Sequence, residues 1–320
     1  MNGTELENQS RGKRSGLVVF ILVLAFVLLG GAGFLFYWFH VGEPAKGYYE
    51  AAMQGDAEAQ YQLGECYYNG NGVRKDISEA VDWYRKAAEQ GHADAQFMFG
   101  RCCYHGEGIS KDYGVAFEYY RKAAEQDHAK GQCGLGYCYY DGEGVEENKE
   151  EAVKWYRKAA EQGIPEAQNQ LAICFFKGEG VEEDKEEAVK WYRKAAEQGI
   201  PEAQNQLAVC LMSGEGVDED KEEAVKWFRM AAEQGIPEAQ FNLGNCYFNG
   251  WGCEENKEEA VKWYRKAAEQ GNTYAMAALS GCYMLGEGVP VNKAEAIRLL
   301  RKSAKLGNPE AQKVLKKLGL

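Results

Sequence analysis

A repeat of 36 residues is the feature that most constrains the fold of this chain. The stretch of residues 186–208 reads EEAVKWYRKAAEQGIPEAQNQLA, and it recurs with small changes every 36 residues. Tryptophans mark one phase of the repeat: Trp83, Trp155, Trp191, Trp227 and Trp263. Tyr119 and Leu299 occupy the same phase in two further repeats. A Gly-x-Gly pair marks a second phase and occurs seven times. Because one repeat of this length cannot bury its own apolar face, the fold must arise by stacking.

Each repeat reads as a pair of helices. In the first helix, Ala203, Leu207 and Leu211 recur at the spacing that places side chains on one helical face. The second helix begins at Asp or Asn with Glu three residues later, as in Asp184 and the glutamate after it, which is a capping-box pattern. It ends at a glycine such as Gly199, suited to a left-handed C-cap. We therefore predict an all-α, right-handed alpha-alpha superhelical solenoid.

Two motifs of the repeat resemble those of a known family. The pattern LGxCYxxGxGV, followed by EAVxWYRKAAEQG, is similar to the Sel1-like repeat, a relative of the tetratricopeptide repeat. The resemblance covers residues 57–308 as seven full repeats and continues as half-repeats on both sides, so we assign residues 43–320 to the solenoid. It implies a scaffold of helical hairpins. It does not identify a partner, because similar repeats serve unrelated processes.

The amino terminus carries a predicted membrane anchor. Residues 1–16 form a polar tail, and residues 17–39 contain no charged side chain. As a helix these residues would span roughly 34 Å, enough to cross a hydrocarbon core of about 30 Å. The alternative is a signal peptide cleaved after Ala32. The apolar run continues past that position into the aromatic residues 37–39, which suit a membrane interface and favour the anchor.

Basic residues near the anchor predict its orientation. Arg11, Lys13 and Arg14 precede it, whereas Lys46 is the only Lys or Arg in the thirty residues that follow. By the positive-inside rule the tail stays in the cytoplasm. The sequence thus predicts a single-pass membrane protein whose repeat domain lies on the outer, periplasmic or extracytoplasmic side.

Charge and loop composition narrow the classes of partner. The net charge is −12, and acidic residues cluster in the loops before the second helices. Such a surface should repel nucleic acid and anionic lipid headgroups. The Gly-x-Gly pairs recur between two helices in every repeat, so we interpret them as tight turns and not as phosphate-binding loops. We expect no nucleic acid, cofactor or small-molecule substrate.

The ten cysteines follow the repeat instead of a disulfide pattern. One cysteine per repeat occupies the same phase on the predicted buried face: Cys66, Cys102, Cys138, Cys174, Cys210, Cys246 and Cys282. Helices stack about 8–10 Å apart, beyond the reach of a disulfide of roughly 7 Å between Cα atoms, so we predict small buried side chains. The family resemblance includes cysteine-rich members whose disulfides link paired helices. This chain lacks the regular second cysteine that such pairing needs.

One group of residues has nucleophilic or metal-binding potential. Cys102, Cys103 and His105 lie close in sequence, with Cys133 and Cys138 one repeat along. Their spacing matches no zinc motif, and two of the thiols belong to the buried phase. We predict no catalytic site, no metal site and no enzymatic activity. An envelope hydrolase that uses these thiols is the alternative.

The first helices should line a concave groove. Counted from the first residue of each repeat, positions five, nine and twelve vary and share a face, as groove positions do in tetratricopeptide arrays. A surface of Tyr, Phe and Asn with one Arg is typical of a contact surface. The predicted groove residues are Tyr61, Glu65, Phe97, Arg101, Tyr137, Tyr140, Asn169, Ile173, Asn205, Val209, Phe241 and Asn245.

We predict that this groove binds a protein or peptide, which makes the chain a membrane-anchored interaction scaffold. Two alternatives concern the same surfaces. In the first, about half of the aromatic set at position twelve belongs to the core and packs between repeats instead of contacting a partner. The convex face of Lys, Arg and Glu on the second helices could instead assemble an envelope complex.

Overall fold

A computed structural model of the chain describes Gly42 and residues 45–320, and in this part every regular element is an α-helix. The helices are α1 (Ala45–Met53), α2 (Ala57–Asn69), α3 (Ile77–Glu89), α4 (Ala93–His105), α5 (Tyr113–Glu125), α6 (Ala129–Asp141), α7 (Lys149–Glu161), α8 (Pro165–Lys177), α9 (Lys185–Glu197), α10 (Pro201–Ser213), α11 (Lys221–Glu233), α12 (Pro237–Asn249), α13 (Lys257–Glu269), α14 (Thr273–Leu285), α15 (Lys293–Lys305) and α16 (Pro309–Leu318). From α2 to α15 they form seven pairs, repeats 1 to 7. The predicted all-α solenoid of 36-residue helix pairs is confirmed, while the handedness of the superhelix stays a prediction.

The chain divides into two compact units. The N-terminal unit ends at Gly131, and the C-terminal unit runs from Gln132 to Leu320. The predicted membrane segment, residues 17–39, lies outside the described residues. Among Gly42 and residues 45–320, no helix is long and apolar enough to cross a membrane.

The starts of the second helices follow the predicted capping residues, but only half of the capping box forms. The Asp184 carboxylate accepts a hydrogen bond from the Glu187 backbone N–H at 2.9 Å. The backbone N–H of Asp184 donates to the Phe175 carbonyl in the first helix, not to the glutamate side chain. The glutamate at this position is therefore available for other contacts. In repeat 5, the Glu223 carboxylate accepts from Trp227 Nε1 at 3.0 Å.

The predicted buried faces are confirmed. In α9, residues Ala188, Trp191 and Tyr192 are at most 6% exposed, and Leu207 and Cys210 are equally buried in α10. All seven cysteines of the regular phase are buried. A second helix packs against the first helix of its own repeat and that of the next repeat, as α3 does in the N-terminal unit and α9 in the C-terminal unit. Burial of both helices therefore depends on a neighbouring repeat, as the sequence indicates.

The two glycines of the turn have different roles. Gly178 ends α8 with φ +68° and its N–H bonded to the Cys174 carbonyl. Gly180 also has positive φ, +69°, but a Cβ there would lie 2.2 Å from the carbonyl oxygen of Lys149 in the preceding repeat. The first glycine is needed for backbone conformation and the second also for close approach between repeats.

A ladder of glutamine side chains links successive repeats, and it was not predicted from the sequence. Gln204 is buried, and its Nε2 donates to the Ala196 carbonyl at 3.1 Å. Its Oε1 accepts from Gln234 Nε2 at 2.8 Å. The same pairing recurs along the chain: Gln60 with Gln90, Gln96 with Gln126, Gln132 with Gln162, Gln168 with Gln198, and Gln240 with Gln270. The recurrence of Gln at position four in six repeats was the available signal.

Candidate functional site

In the N-terminal unit, the predicted groove residues are half-buried on α2 and α4. The Tyr61 ring stacks on the His92 ring with centroids 4.9 Å apart, and burial raises the pKa of Tyr61 to about 12. Glu65 Oε1 accepts a hydrogen bond of 2.5 Å from the hydroxyl of Tyr84 in the second helix. Phe97 lies 5.3 Å from the ring of His128, measured between centroids. This part of the surface is aromatic and internally hydrogen-bonded.

Arg101 is the one cation among the predicted groove residues. Its guanidinium lies over the Tyr68 ring, 5.1 Å from the centroid. Its Nε and Nη2 are buried and have no hydrogen-bond partner within the described residues, although Nη2 lies 3.9 Å from Glu107 Oε2. The Tyr68 hydroxyl donates to the same glutamate at 2.9 Å. Arg101 therefore keeps donor capacity for a further acceptor.

In repeats 3 and 4 of the C-terminal unit, two predicted tyrosines surround Tyr156. The Tyr137 ring meets the Tyr156 ring edge-on, with centroids 5.5 Å apart, and the Tyr137 hydroxyl accepts from Gln170 Nε2 at 3.3 Å. Tyr156 is fully buried, and its hydroxyl has no hydrogen-bond partner within the described residues. The Tyr140 hydroxyl donates to Glu179, and this bond holds the pKa of the Glu179 carboxyl below its usual value.

The two predicted asparagines lie deeper than a surface position. Asn169 is 8% exposed, and its Oδ1 is buried without a hydrogen-bond partner in the described part of the chain. Ile173, one turn later on α8, is half-buried. Asn205 is 9% exposed, and its Oδ1 accepts from Nδ2 of Asn242 in the next repeat at 3.4 Å. Position five therefore lies against the following first helix, a contact that periodicity within one helix does not reveal.

In repeats 5 and 6, the predicted residues border a small recess. Val209 and Asn245 line a cavity of about 180 Å³, which we call the repeat 5–6 recess. The Asn245 side-chain oxygen accepts a hydrogen bond of 2.8 Å from the Tyr264 hydroxyl. The Phe241 ring lies 6.0 Å from the Tyr264 ring. This part of the predicted surface is therefore concave and open to solvent.

The aromatic residues at position twelve pack inside their own repeats. Their ring centroids lie 6.1–6.4 Å from the tyrosine of the second helix in five repeats: Tyr68, Tyr104, Tyr140, Phe176 and Phe248. Each is half-buried. These rings are therefore partly in the core, but through contacts inside one repeat and not through the contacts between repeats that the alternative predicted.

The cysteine and histidine group does not form an activated thiol. Cys102 and Cys103 are 0% and 1% exposed, and burial raises their pKa values to about 12 and 11. Reactive cysteines are accessible and have lowered pKa values, so these thiols have the opposite character. His105 is exposed at the end of α4, with its ring edge-on to Tyr104. Among the described residues no group of three or more His, Cys, Asp or Glu side chains could hold a metal ion.

The second helices carry a larger, charged depression. It has a volume of about 770 Å³ and lies between α9 and the turn after α10. Lys190, Arg193 and Glu186 line it. Arg193 also forms an ion pair with Glu223 of the next second helix. This depression lies on the face predicted as convex and is separate from the predicted groove residues.

Comparisons with known proteins agree with the observed repeats. Solved structures include c5321, a protective antigen of uropathogenic Escherichia coli with an SLR fold, at 36% identity and a TM-score of 0.76; the match covers 86% of this chain and 59% of c5321, so the chain spans less than two thirds of that relative. A Sel1 repeat protein from Oxalobacter formigenes matches at 36% identity and a TM-score of 0.65, with 86% of this chain and 79% of that one covered. A comparison with functionally curated proteins produced no match. The Sel1 repeat family matches seven consecutive segments, 57–92, 93–128, 129–164, 165–200, 201–236, 237–272 and 273–308, and the chain therefore belongs to the Sel1 repeat family.

Proposed function

We propose that this chain is a membrane-anchored scaffold whose predicted groove residues bind an extended segment of a protein partner. Repeat scaffolds of this family are typically protein-binding modules, which supports the class of function. In this proposal the first-helix surface binds the partner, on the outer side of the membrane. The proposal includes no catalytic step.

One observation carries the groove assignment: buried polar atoms without partners lie beneath the first-helix surface of repeats 3 and 4. These atoms are the Tyr156 hydroxyl and Asn169 Oδ1. A buried polar atom without a hydrogen bond costs about 1–3 kcal/mol, so most have partners in native proteins. A peptide segment supplies backbone N–H groups and carbonyls at regular spacing, and in this proposal the half-buried side chains above these two atoms move aside so that the peptide pairs with them. The half-buried Tyr137 beside them offers an aromatic contact of the kind enriched at binding hot spots.

Residues 17–39 would hold the scaffold in the membrane, with the tail of residues 1–16 in the cytoplasm and the repeats on the outer side. The support is the uncharged segment and the excess of basic residues before it. Protease added to spheroplasts, in which any outer membrane is opened, should then remove the repeats, whereas protease added to inverted inner-membrane vesicles should remove only the tail. The reverse pattern would contradict the orientation. Loss of the first 32 residues from the mature protein would indicate cleavage instead of anchoring.

In-cell photo-crosslinking tests the binding surface. A benzophenone amino acid at position 137 should give a specific protein adduct, and one at position 190, on the second helices, should not. Asn169→Leu should lower the adduct yield from position 137 about tenfold, because it removes the unpaired acceptor. The same change should leave the free energy of unfolding unchanged or increase it, since a buried unpaired oxygen is removed. An undiminished adduct from position 137 in Asn169→Leu would contradict the groove assignment.

A second candidate function is assembly of an envelope complex through the second helices. The depression of about 770 Å³ lined by Lys190 and Arg193 favours it, because a charged concavity of that size could hold part of a neighbouring subunit. Adducts from position 190 alone would support this alternative. They would leave the groove residues as packing of the repeat.

A further inference from the structure

The repeat 5–6 recess is built at a place where the repeat pattern changes. The residue between the two turn glycines is Glu in five repeats and Asn71 in the first, but it is Trp251 in repeat 6. Trp251 is 45% exposed and lines the recess together with Val209, Met212 and Phe228. The indole therefore does not stand alone on the surface but borders a contiguous apolar patch, and such patches mark interaction sites.

Elsewhere in the C-terminal unit, the glutamate of this turn contacts polar side chains of the preceding repeat. Glu179 accepts from the Tyr140 hydroxyl and lies 3.3 Å from Lys149 Nζ. Glu287 lies 2.9 Å from the ammonium of Lys257. At the junction of repeats 5 and 6 the equivalent lysine, Lys221, forms its ion pair within its own loop instead, with Glu219 at 3.0 Å. At this junction the ion pair between the turn glutamate and the lysine of the preceding repeat is therefore missing, and an open recess lies in its place.

Two further replacements bring apolar side chains to the lining of the recess. Phe228 occupies the second-helix position that is Tyr in five other repeats, so the hydroxyl is missing at this junction. Met212 occupies position twelve, which is aromatic in repeats 1–4 and repeat 6. With Trp251, three changes coincide at one place: Trp replaces a polar turn residue, Phe replaces a tyrosine, and Met replaces an aromatic ring. Met and Trp are side chains that adapt to and anchor binding partners.

Amide groups lie at the edge of the recess. Asn242 donates through Nδ2 to Asn205, and Asn245 accepts through Oδ1 from Tyr264. These two bonds use one donor and one acceptor and hold the two side chains in place. The side-chain oxygen of Asn242 and the side-chain nitrogen of Asn245 take no part in these bonds, and they suit the N–H and carbonyl of a peptide backbone.

The loops beside the recess are acidic. The loop of residues 214–220 carries four acidic residues, and the loop that holds Trp251 carries Glu254 and Glu255, with no Lys or Arg in either. Glu254 and Asp218 take part in no ion pair among the described residues. A positively charged partner would be attracted to this site, whereas an acidic one would be repelled.

We propose that the repeat 5–6 recess is an anchor pocket for one aromatic or branched aliphatic side chain of a basic peptide segment, an inference that rests on the proposed protein-binding function. The size is adequate: an apolar cavity of about 150 Å³ accepts a benzene ring, and this recess measures about 180 Å³. The apolar side chain enters between Met212 and Trp251. The two asparagines bind the backbone beside it, and the acidic loops attract the flanking cations.

The test uses the full-length chain in detergent micelles and three heptapeptides labelled with a fluorophore. The first has phenylalanine at its centre with lysines on both sides, the second has alanine at the centre, and the third has glutamates in place of the lysines. Fluorescence anisotropy should show that the alanine peptide binds at least about tenfold more weakly than the phenylalanine peptide. The acidic peptide should not bind. In chain labelled with 5-fluorotryptophan, the ¹⁹F resonance assigned to Trp251 should move on addition of the phenylalanine peptide.

Trp251→Glu is the informative variant. It places at this junction the residue type that five other repeats carry, so it should fold, and it should weaken binding of the phenylalanine peptide at least about tenfold. Trp251→Phe keeps an aromatic wall and should retain binding within about threefold. Equal binding of the phenylalanine and alanine peptides, or full binding by Trp251→Glu, would overturn the pocket. If either result occurs while position 137 still gives its crosslinked adduct, the anchor pocket is refuted and the protein-binding function of the groove stands. If the wild-type background gives no adduct from position 137, the protein-binding function is refuted.

Discussion

The second glycine of each turn offers the sharpest test of how the repeats stack. Gly180→Ala would place a methyl group 2.2 Å from the carbonyl oxygen of Lys149. Both sides of that contact belong to rigid backbone, so the turn of repeat 4 must move away from repeat 3. Gly199→Ala is the matched control, because Gly199 has φ +93° and a Cβ added there would meet nothing within 4 Å.

The magnitudes follow from two separate costs. A left-handed residue other than glycine costs about 1–2 kcal/mol, partly offset by about 0.4–1 kcal/mol from the stiffer unfolded chain. Both substitutions share this cost, so Gly199→Ala should lower the free energy of unfolding by roughly 1 kcal/mol. Gly180→Ala adds a steric cost of about 1–3 kcal/mol, the usual range for an overpacked contact. We expect the difference between the two variants to be about 2 kcal/mol.

Urea unfolding of the full-length chain in micelles, followed by circular dichroism, measures this difference. Gly178→Ala provides a second control within the same turn, since its nearest neighbour is a side-chain atom of Glu183 at 3.3 Å. It should resemble Gly199→Ala. Because each repeat contacts only its neighbours, Gly180→Ala should also broaden the transition as repeats 3 and 4 uncouple. Equal stabilities of the Gly180 and Gly199 variants would refute the reasoning from close approach.

Three further predictions concern a core tryptophan, the carboxylate of Glu179 and the cysteine thiols. Trp191→Ala should lower the free energy of unfolding by about 3–5 kcal/mol because this side chain is 6% exposed, and Trp227→Ala, at a half-buried site, should cost less; equal losses in urea unfolding would contradict the burial argument. Folding lowers the pKa of the Glu179 carboxyl, so its ionised form stabilises the folded state by up to about 1 kcal/mol. This stabilisation is present above the ordinary pKa of 4.5 and is lost as pH falls through the lowered pKa. The difference in free energy of unfolding between the wild type and Glu179→Gln should therefore disappear in acid and persist in alkali. Iodoacetamide at about pH 8, just below the ordinary thiol pKa, should modify half-buried Cys253 before buried Cys103, whose pKa is about 11; mass spectrometry showing Cys103 first would revive the hydrolase alternative.

The sequence predicted the features that depend on a few neighbouring residues. The 36-residue period, the Asp184 cap, the glycine end at Gly199 and the buried face around Trp191 all appear in the structure as expected. Helix starts and ends depend on backbone groups within one turn, and a buried face repeats every three to four residues. Each can therefore be read from a short window of the chain.

The candidate site was predicted less completely. The sequence predicted which helix face carries Asn169 and Asn205 but not how deeply they are buried. Their burial comes from the first helix of the next repeat. Glu65 and Asn245 varied in sequence for a reason that the structure supplies: each accepts a hydrogen bond from the tyrosine of its second helix. Part of the variability attributed to partner recognition therefore reflects internal pairing.

The sequence by itself determined that the chain is a stack of helical pairs, because local periodicity and capping are encoded in every repeat. Tertiary structure alone decided how the repeats meet: the approach of Gly180 to Lys149, the glutamine ladder through Gln204, and the recess beside Trp251. These contacts join residues of different repeats, whose separation in space is set by stacking. Atoms of neighbouring repeats interact only within a few ångströms, and no pattern inside a single repeat specifies that separation.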